Sequence, residues 1–129
     1  MTKGEKFNKK FNISKTVYDG FVEIFNDKNP LHVDELFAQS KGFKSVVMHG
    51  NILGGFLSYF IGECLPLKNV IIHSQEIKYL KPIYLNQLVS FIAEVVDVYE
   101  SVNVVEFKFY FEDDFSKKLA KGKIQIGVI

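Results

Sequence analysis

The chain has 129 residues, 47% of them hydrophobic, which is enough for one domain with a real core. Sixteen basic residues against fifteen acidic ones leave a formal net charge of +1, without the basic surplus expected of a nucleic-acid-binding protein. Every basic residue is lysine, so phosphate would be met by point charges and backbone amides, and the single cysteine, Cys64, excludes an internal disulfide. The first residues, Met1 to Lys6, hold no apolar signal core. The longest apolar stretch, Ile52 to Leu67, is broken by glycines and Glu63 and falls short of the about 20 residues that cross a bilayer. A soluble, cytoplasmic protein with no membrane or nucleic-acid partner is the expectation.

In chain order, Phe7, Phe11 and Ile13 are spaced for one face of a strand over residues 5–13. Ser14 is placed to cap a helix running through Val17, Phe21, Ile24 and Phe25. That helix must stop before Pro30, because the residue preceding a proline is pushed out of helical geometry; Asp27 to His32 is then a turn. A short helix is predicted over Asp34 to Gln39, with Leu36 and Phe37 inward and Gly42 as its stop. A second main helix is predicted from Gly50 to Cys64, apolar nearly all round and therefore buried on most sides. Its Gly54, Gly55 and Gly62 each cost about 1 kcal/mol relative to alanine, which predicts close backbone packing against a sheet. After Pro66 the pattern alternates with period two, giving strands at 69–80, 87–99, 102–112 and 118–128. Their short links make them antiparallel neighbours, so the architecture expected is one long antiparallel sheet around one apolar helix.

Two segments carry chemistry. Asn26-Asp27-Lys28-Asn29-Pro30-Leu31-His32 sets an acid and an imidazole five positions apart, and Met48-His49-Gly50-Asn51 supplies a glycine amide at the start of the apolar helix. These are the groups needed to move protons and polarise a carbonyl. An isolated Asp-x-Asn-Pro is usually only a turn. His73 reads as a sheet residue, His49 as more structural than catalytic, and Cys64 as core filler without a cationic neighbour to activate it. No Cys/His cluster has metal-ligand spacing and no glycine-rich phosphate loop is present, so no metal or cofactor is expected.

The order of acid, any residue, Asn-Pro, aliphatic residue, His, and a small residue six positions on is met by Asp27, Asn29-Pro30, Leu31, His32 and Ala38, with His49-Gly50 downstream. In this the chain resembles the MaoC-like, (R)-specific enoyl-CoA hydratase family. The resemblance spans nearly the whole chain as a single domain, residues 1–129, and implies the α+β hotdog fold. It implies hydration of a trans-2-enoyl thioester of coenzyme A or acyl carrier protein, or the reverse dehydration. It assigns Asp27 and His32 as a dyad sharing one water, with Asp27 favoured as base, and gives the thioester oxygen to the Gly50 amide. Asn29, Ser58 and His49 are expected on the substrate side, Ser58 aligning with a serine of some members, and Phe25 is expected there as a departure from the family's pattern. Lys44, Lys78 and Lys81 are candidates for carrier phosphates. The family's Ser/Thr-Gly before the acid is here Phe25-Asn26; Asn26 tolerates a left-handed backbone, and Phe25 is expected to narrow the pocket toward short acyl groups. Edge pairing into a homodimer is expected. A hotdog thioesterase and a non-catalytic acyl-binding subunit are the alternatives.

Overall fold

A computed structural model describes residues 1–129. Its five strands, β1 (Lys6–Asn12), β2 (Val70–Tyr79), β3 (Leu88–Tyr99), β4 (Val104–Glu112) and β5 (Lys118–Val128), form one sheet in the order β1-β3-β4-β5-β2. All four pairings are antiparallel. The period-two pattern explains which face is buried. Val89, Phe91, Ala93 and Val95 of β3 alternate inward, as do Val105, Phe107, Phe109 and Phe111 of β4. Against them lies α4 (Asn51–Tyr59), which buries Ile52, Leu53 and Leu57 and continues into a π-helical turn, Phe60–Cys64, that buries Phe60 and Ile61. Phe60 packs on Phe91 at 4.8 Å between ring centroids. This is the α+β hotdog arrangement expected from the sequence.

The first helix packs partly buried Val17, Tyr18 and Phe21 against this core. In α1 (Lys15–Phe25), Ser14 Oγ accepts the Val17 N–H at 3.2 Å, and the helix stops at Asn26, whose φ of 57° is the left-handed conformation anticipated for it. Residues 27–32 are not a turn throughout. Asn29 caps a one-turn helix, α2 (Pro30–Val33), its Oδ1 accepting the Leu31 N–H at 3.0 Å, because proline at the first helical position already has a helical φ and lacks only an N–H that would be unpaired there. His32 therefore sits on a helix. In α3 (Glu35–Ser40), capped by Asp34, Leu36 is 79% exposed and Phe37 is also exposed; the inward residue is Ala38, against the expectation.

The glycines of α4 and of the π-helical turn that follows it also correct the reading. A Cβ on Gly54 would meet only Gln75 Nε2 at 3.7 Å, and one on Gly55 or Gly62 would meet nothing within 4 Å. No backbone presses on them. Nor is α4 buried on most sides: Gly55, Ser58 and Tyr59 are exposed. His73 is the bulged residue of edge strand β2, its ring lying against Gly127, so it is a sheet residue as expected. Cys64 is half-buried against the core.

Candidate active site

The site is assembled where α1, α2 and the start of α4 converge. Tyr18 of α1 donates its hydroxyl to the His32 carbonyl at 2.6 Å, and the Val47 N–H donates to the Leu31 carbonyl at 3.0 Å, so α2 is clasped from both sides. Burial holds the Tyr18 phenol above its ordinary range, with Asp19 adding to the effect. The His32 ring is fixed by its Nδ1, 2.7 Å from the Val47 carbonyl. A carbonyl can only accept, so Nδ1 carries the proton and Nε2 is left toward Asp27.

Asp27 lies in the bend between α1 and α2. Its Oδ1 accepts the Asn29 N–H at 3.2 Å, which leaves Oδ2 free. Oδ2 stands 4.0 Å from His32 Nε2 and 4.0 Å from His49 Nε2. His49 is 2% exposed, stacks on His32 with ring centroids 4.0 Å apart, and donates from Nε2 to the Asp27 carbonyl at 2.9 Å. Its Nδ1 is buried without a partner. His49 thus ties the acid's backbone to the start of α4, next to Gly50.

A separation of 4.0 Å is too long for a direct hydrogen bond. It suits one water accepted by both groups at about 2.8 Å each. Asp27, His32 and His49 also offer three ligand atoms within 4.8 Å of one another, a convergence that chain spacing did not disclose. A tetrahedral first-row cation with bonds of about 2.0–2.1 Å sets its ligands roughly 3.4 Å apart. Both 4.0 Å gaps would have to close around it, and His49 would have to release the Asp27 carbonyl.

Gly50 precedes α4 with its N–H unpaired by any protein acceptor, at the positive end of the helix dipole. Its φ of −58° suits any residue. The need for glycine comes from Tyr79, whose ring would lie 2.8 Å from a Cβ placed there. The space that a side chain at position 50 would take is filled by this ring.

Two cavities flank this point. One, of about 490 Å³, is bordered by His32, Gly50, Tyr79 and Lys81. The other, of about 770 Å³, is bordered by Asp27, Phe25, Phe21, Ile24, Ile52 and Phe56. They share Asn51. Phe25 is 65% exposed and borders the second cavity, so it is not a core residue. Ser58 is exposed and borders neither cavity. Of the candidate lysines only Lys81 borders the site; Lys44 lies over the Tyr84 ring, and Lys78 faces the far side of the sheet with Lys121 and Lys123.

The model of the MaoC-like domain family matches residues 3–110. This chain belongs to that family. Among MaoC-like relatives, the chain is 29% identical over 100 residues to an (R)-specific enoyl-CoA hydratase of Rhodospirillum rubrum, covering 74% of this chain and 69% of the relative. It is 32% identical over 86 residues to a 3-hydroxybutyryl-CoA dehydratase of Methylorubrum extorquens, covering 67% of this chain and 55% of the relative. The fold superposes on the (R)-hydratase from A. caviae involved in PHA biosynthesis with a TM-score of 0.91 at 22% identity, over 100% of this chain and 98% of the other.

Proposed function

We propose that this MaoC-like protein is a lyase that adds water to a trans-2-enoyl thioester, or removes it from the (R)-3-hydroxyacyl thioester, with Asp27 and His32 as its acid–base pair. The observation that carries the reading is the pair's geometry. An Asp27 oxygen that accepts no direct hydrogen bond, 4.0 Å also from His49 Nε2, and a His32 nitrogen whose tautomer is fixed by Val47 face each other at 4.0 Å. Both are acceptors, so a water between them donates both protons inward and turns a lone pair outward. That lone pair attacks C3 of the enoyl group as electron density moves through C2 to the thioester oxygen. The Gly50 N–H and the α4 dipole meet the developing negative charge there. The proton taken from the water passes to the pair and is returned to C2, so the protein ends as it began. No cofactor enters this balance.

The relatives named above are a hydratase and a dehydratase, which perform the two directions of this chemistry. The carrier, coenzyme A or acyl carrier protein, would enter by the cavity that holds Lys81. We place the acyl chain in the apolar cavity beside Asp27. A homodimer joined through its sheet edges completes the proposal, supported by exposed Ile71, Tyr79 and Leu80 on and beside the edge strand β2. Mixing the protein with crotonyl-CoA should remove the enoyl-thioester ultraviolet absorbance without releasing free thiol. Free thiol would instead indicate a thioesterase, and no change in either would indicate a binding subunit.

A further inference from the structure

The apolar cavity between α1 and α4 contains two glycines that nothing in the packing explains. Gly20 of α1 and Gly55 of α4 both border it, and a Cβ on either would meet no atom within 4 Å. Neither has a positive φ that would exclude a side chain. Each therefore weakens its helix by about 1 kcal/mol relative to alanine without relieving a clash or a strain. What the two share is the space above them, continuous with Asp27 at one end and walled by Ile24, 74% exposed, and Phe25.

We infer that Gly20 and Gly55 set the acyl-chain capacity of the site, holding room for enoyl groups longer than crotonyl. This rests on the enoyl-thioester reading above and deepens it. The occupant is argued from the cavity's own wall: the carboxylate proposed to act at C3 opens onto it, so the carbons beyond C3 have an apolar path along the Gly20 and Gly55 face. The open space beside Phe25 revises the expectation that Phe25 shortens the channel.

The test compares Gly55→Ala, Gly55→Val and Gly20→Ala with the unaltered protein on crotonyl-CoA and trans-2-octenoyl-CoA, with thermal unfolding and light scattering alongside. The alanine variants should melt about 3–6 °C higher, because a helical glycine is replaced and nothing is displaced. The ratio of kcat/KM for octenoyl to crotonyl should fall about fourfold per excluded methylene, and tenfold or more in Gly55→Val. A higher melting point with a lower ratio is an outcome that a purely structural role would not give. An unchanged ratio with crotonyl still hydrated overturns the inference alone. An equal loss on both substrates with a halved mass assigns the glycines to contact between two copies and also overturns it. Failure of the unaltered protein to hydrate either substrate overturns the reading beneath it.

Discussion

The sheet and the helical layer over it are built to different standards. In the sheet, Phe91, Phe107 and Phe111 are fully buried and every strand but the two edge strands is paired on both sides. In the layer, α1 buries no residue at all, and Ile24 and Phe25 stand largely in solvent. Apolar burial at about 25 cal/mol per Å² is the main source of stability, so the sheet with Phe60 and Leu57 holds the molecule together. The layer is attached by Val17, Tyr18 and Phe21, partly buried against the core, and by a few directed contacts, such as those from Tyr18, Val47 and His49. Uncovered apolar surface and loosely packed polar groups collect where substrate is proposed to bind. The comparison predicts that substitutions in the layer change chemistry more than stability, and substitutions in the sheet the reverse.

The largest effect is expected at the pair. Asp27→Asn and His32→Ala should each lower hydration of crotonyl-CoA by about 100- to 10,000-fold, the range for a positioned acid or base. Their melting temperatures should stay near that of the unaltered protein; a collapse of the fold in either would erase the distinction between the two regions. Next is the sheet: Phe107→Ala should cost about 3–5 kcal/mol in denaturant unfolding, because a fully buried ring leaves a void that its neighbours cannot fill. Turnover of the fraction that remains folded should persist.

Gly50→Ala is a smaller and more pointed perturbation. The new methyl meets Tyr79 at 2.8 Å, so the ring or the α4 start must shift. A displacement of this size at the amide proposed to stabilise charge should cost about tenfold to a hundredfold in kcat. Tyr79→Ala in the same chain should restore part of the loss by making room, which steady-state kinetics of the double variant would show.

The smallest effect is expected at Tyr18→Phe, which deletes the hydroxyl donated to His32 and should cost about 1 kcal/mol. It also carries a pH signature. The Tyr18 phenol is raised above the ordinary tyrosine value in the folded state, chiefly by burial. Its contribution is therefore fully present below the ordinary tyrosine pKa and is lost as pH rises through the higher folded value. Unfolding measured from neutral to strongly alkaline pH should show a shallower loss in Tyr18→Phe. Tyr79, raised by burial, and Tyr99, raised by Asp97 and Glu106, keep part of that alkaline limb in place.

The sheet was legible because its signal is local. Alternation in β3 and β4 names the buried residue at every second position, and the strand bounds differ from expectation by one or two residues. Asp27, His32 and Gly50 were legible as types in an order. The contacts that align them were not, because they come from residues distant in the chain: a backbone carbonyl at Val47 fixes a tautomer, and Tyr79 on the edge strand sets the need for glycine at position 50. Tyr18 had a faint signal, a hydroxyl within the apolar stripe of Val17 and Phe21. Leu36 and Phe37 misled because α3 is too short to bury two faces and spends its single buried position on Ala38. The glycines of α4 misled for the opposite reason, since a small residue signals proximity only when something is near.

The central claim is that the water held by Asp27 and His32 goes to C3 and not to the thioester carbonyl. Hydration of crotonyl-CoA in heavy-oxygen water, followed by mass spectrometry of the products, reads this atom directly. The account predicts label in the 3-hydroxyl of an intact hydroxyacyl thioester. Label in a free carboxylate, with coenzyme A released, would contradict it.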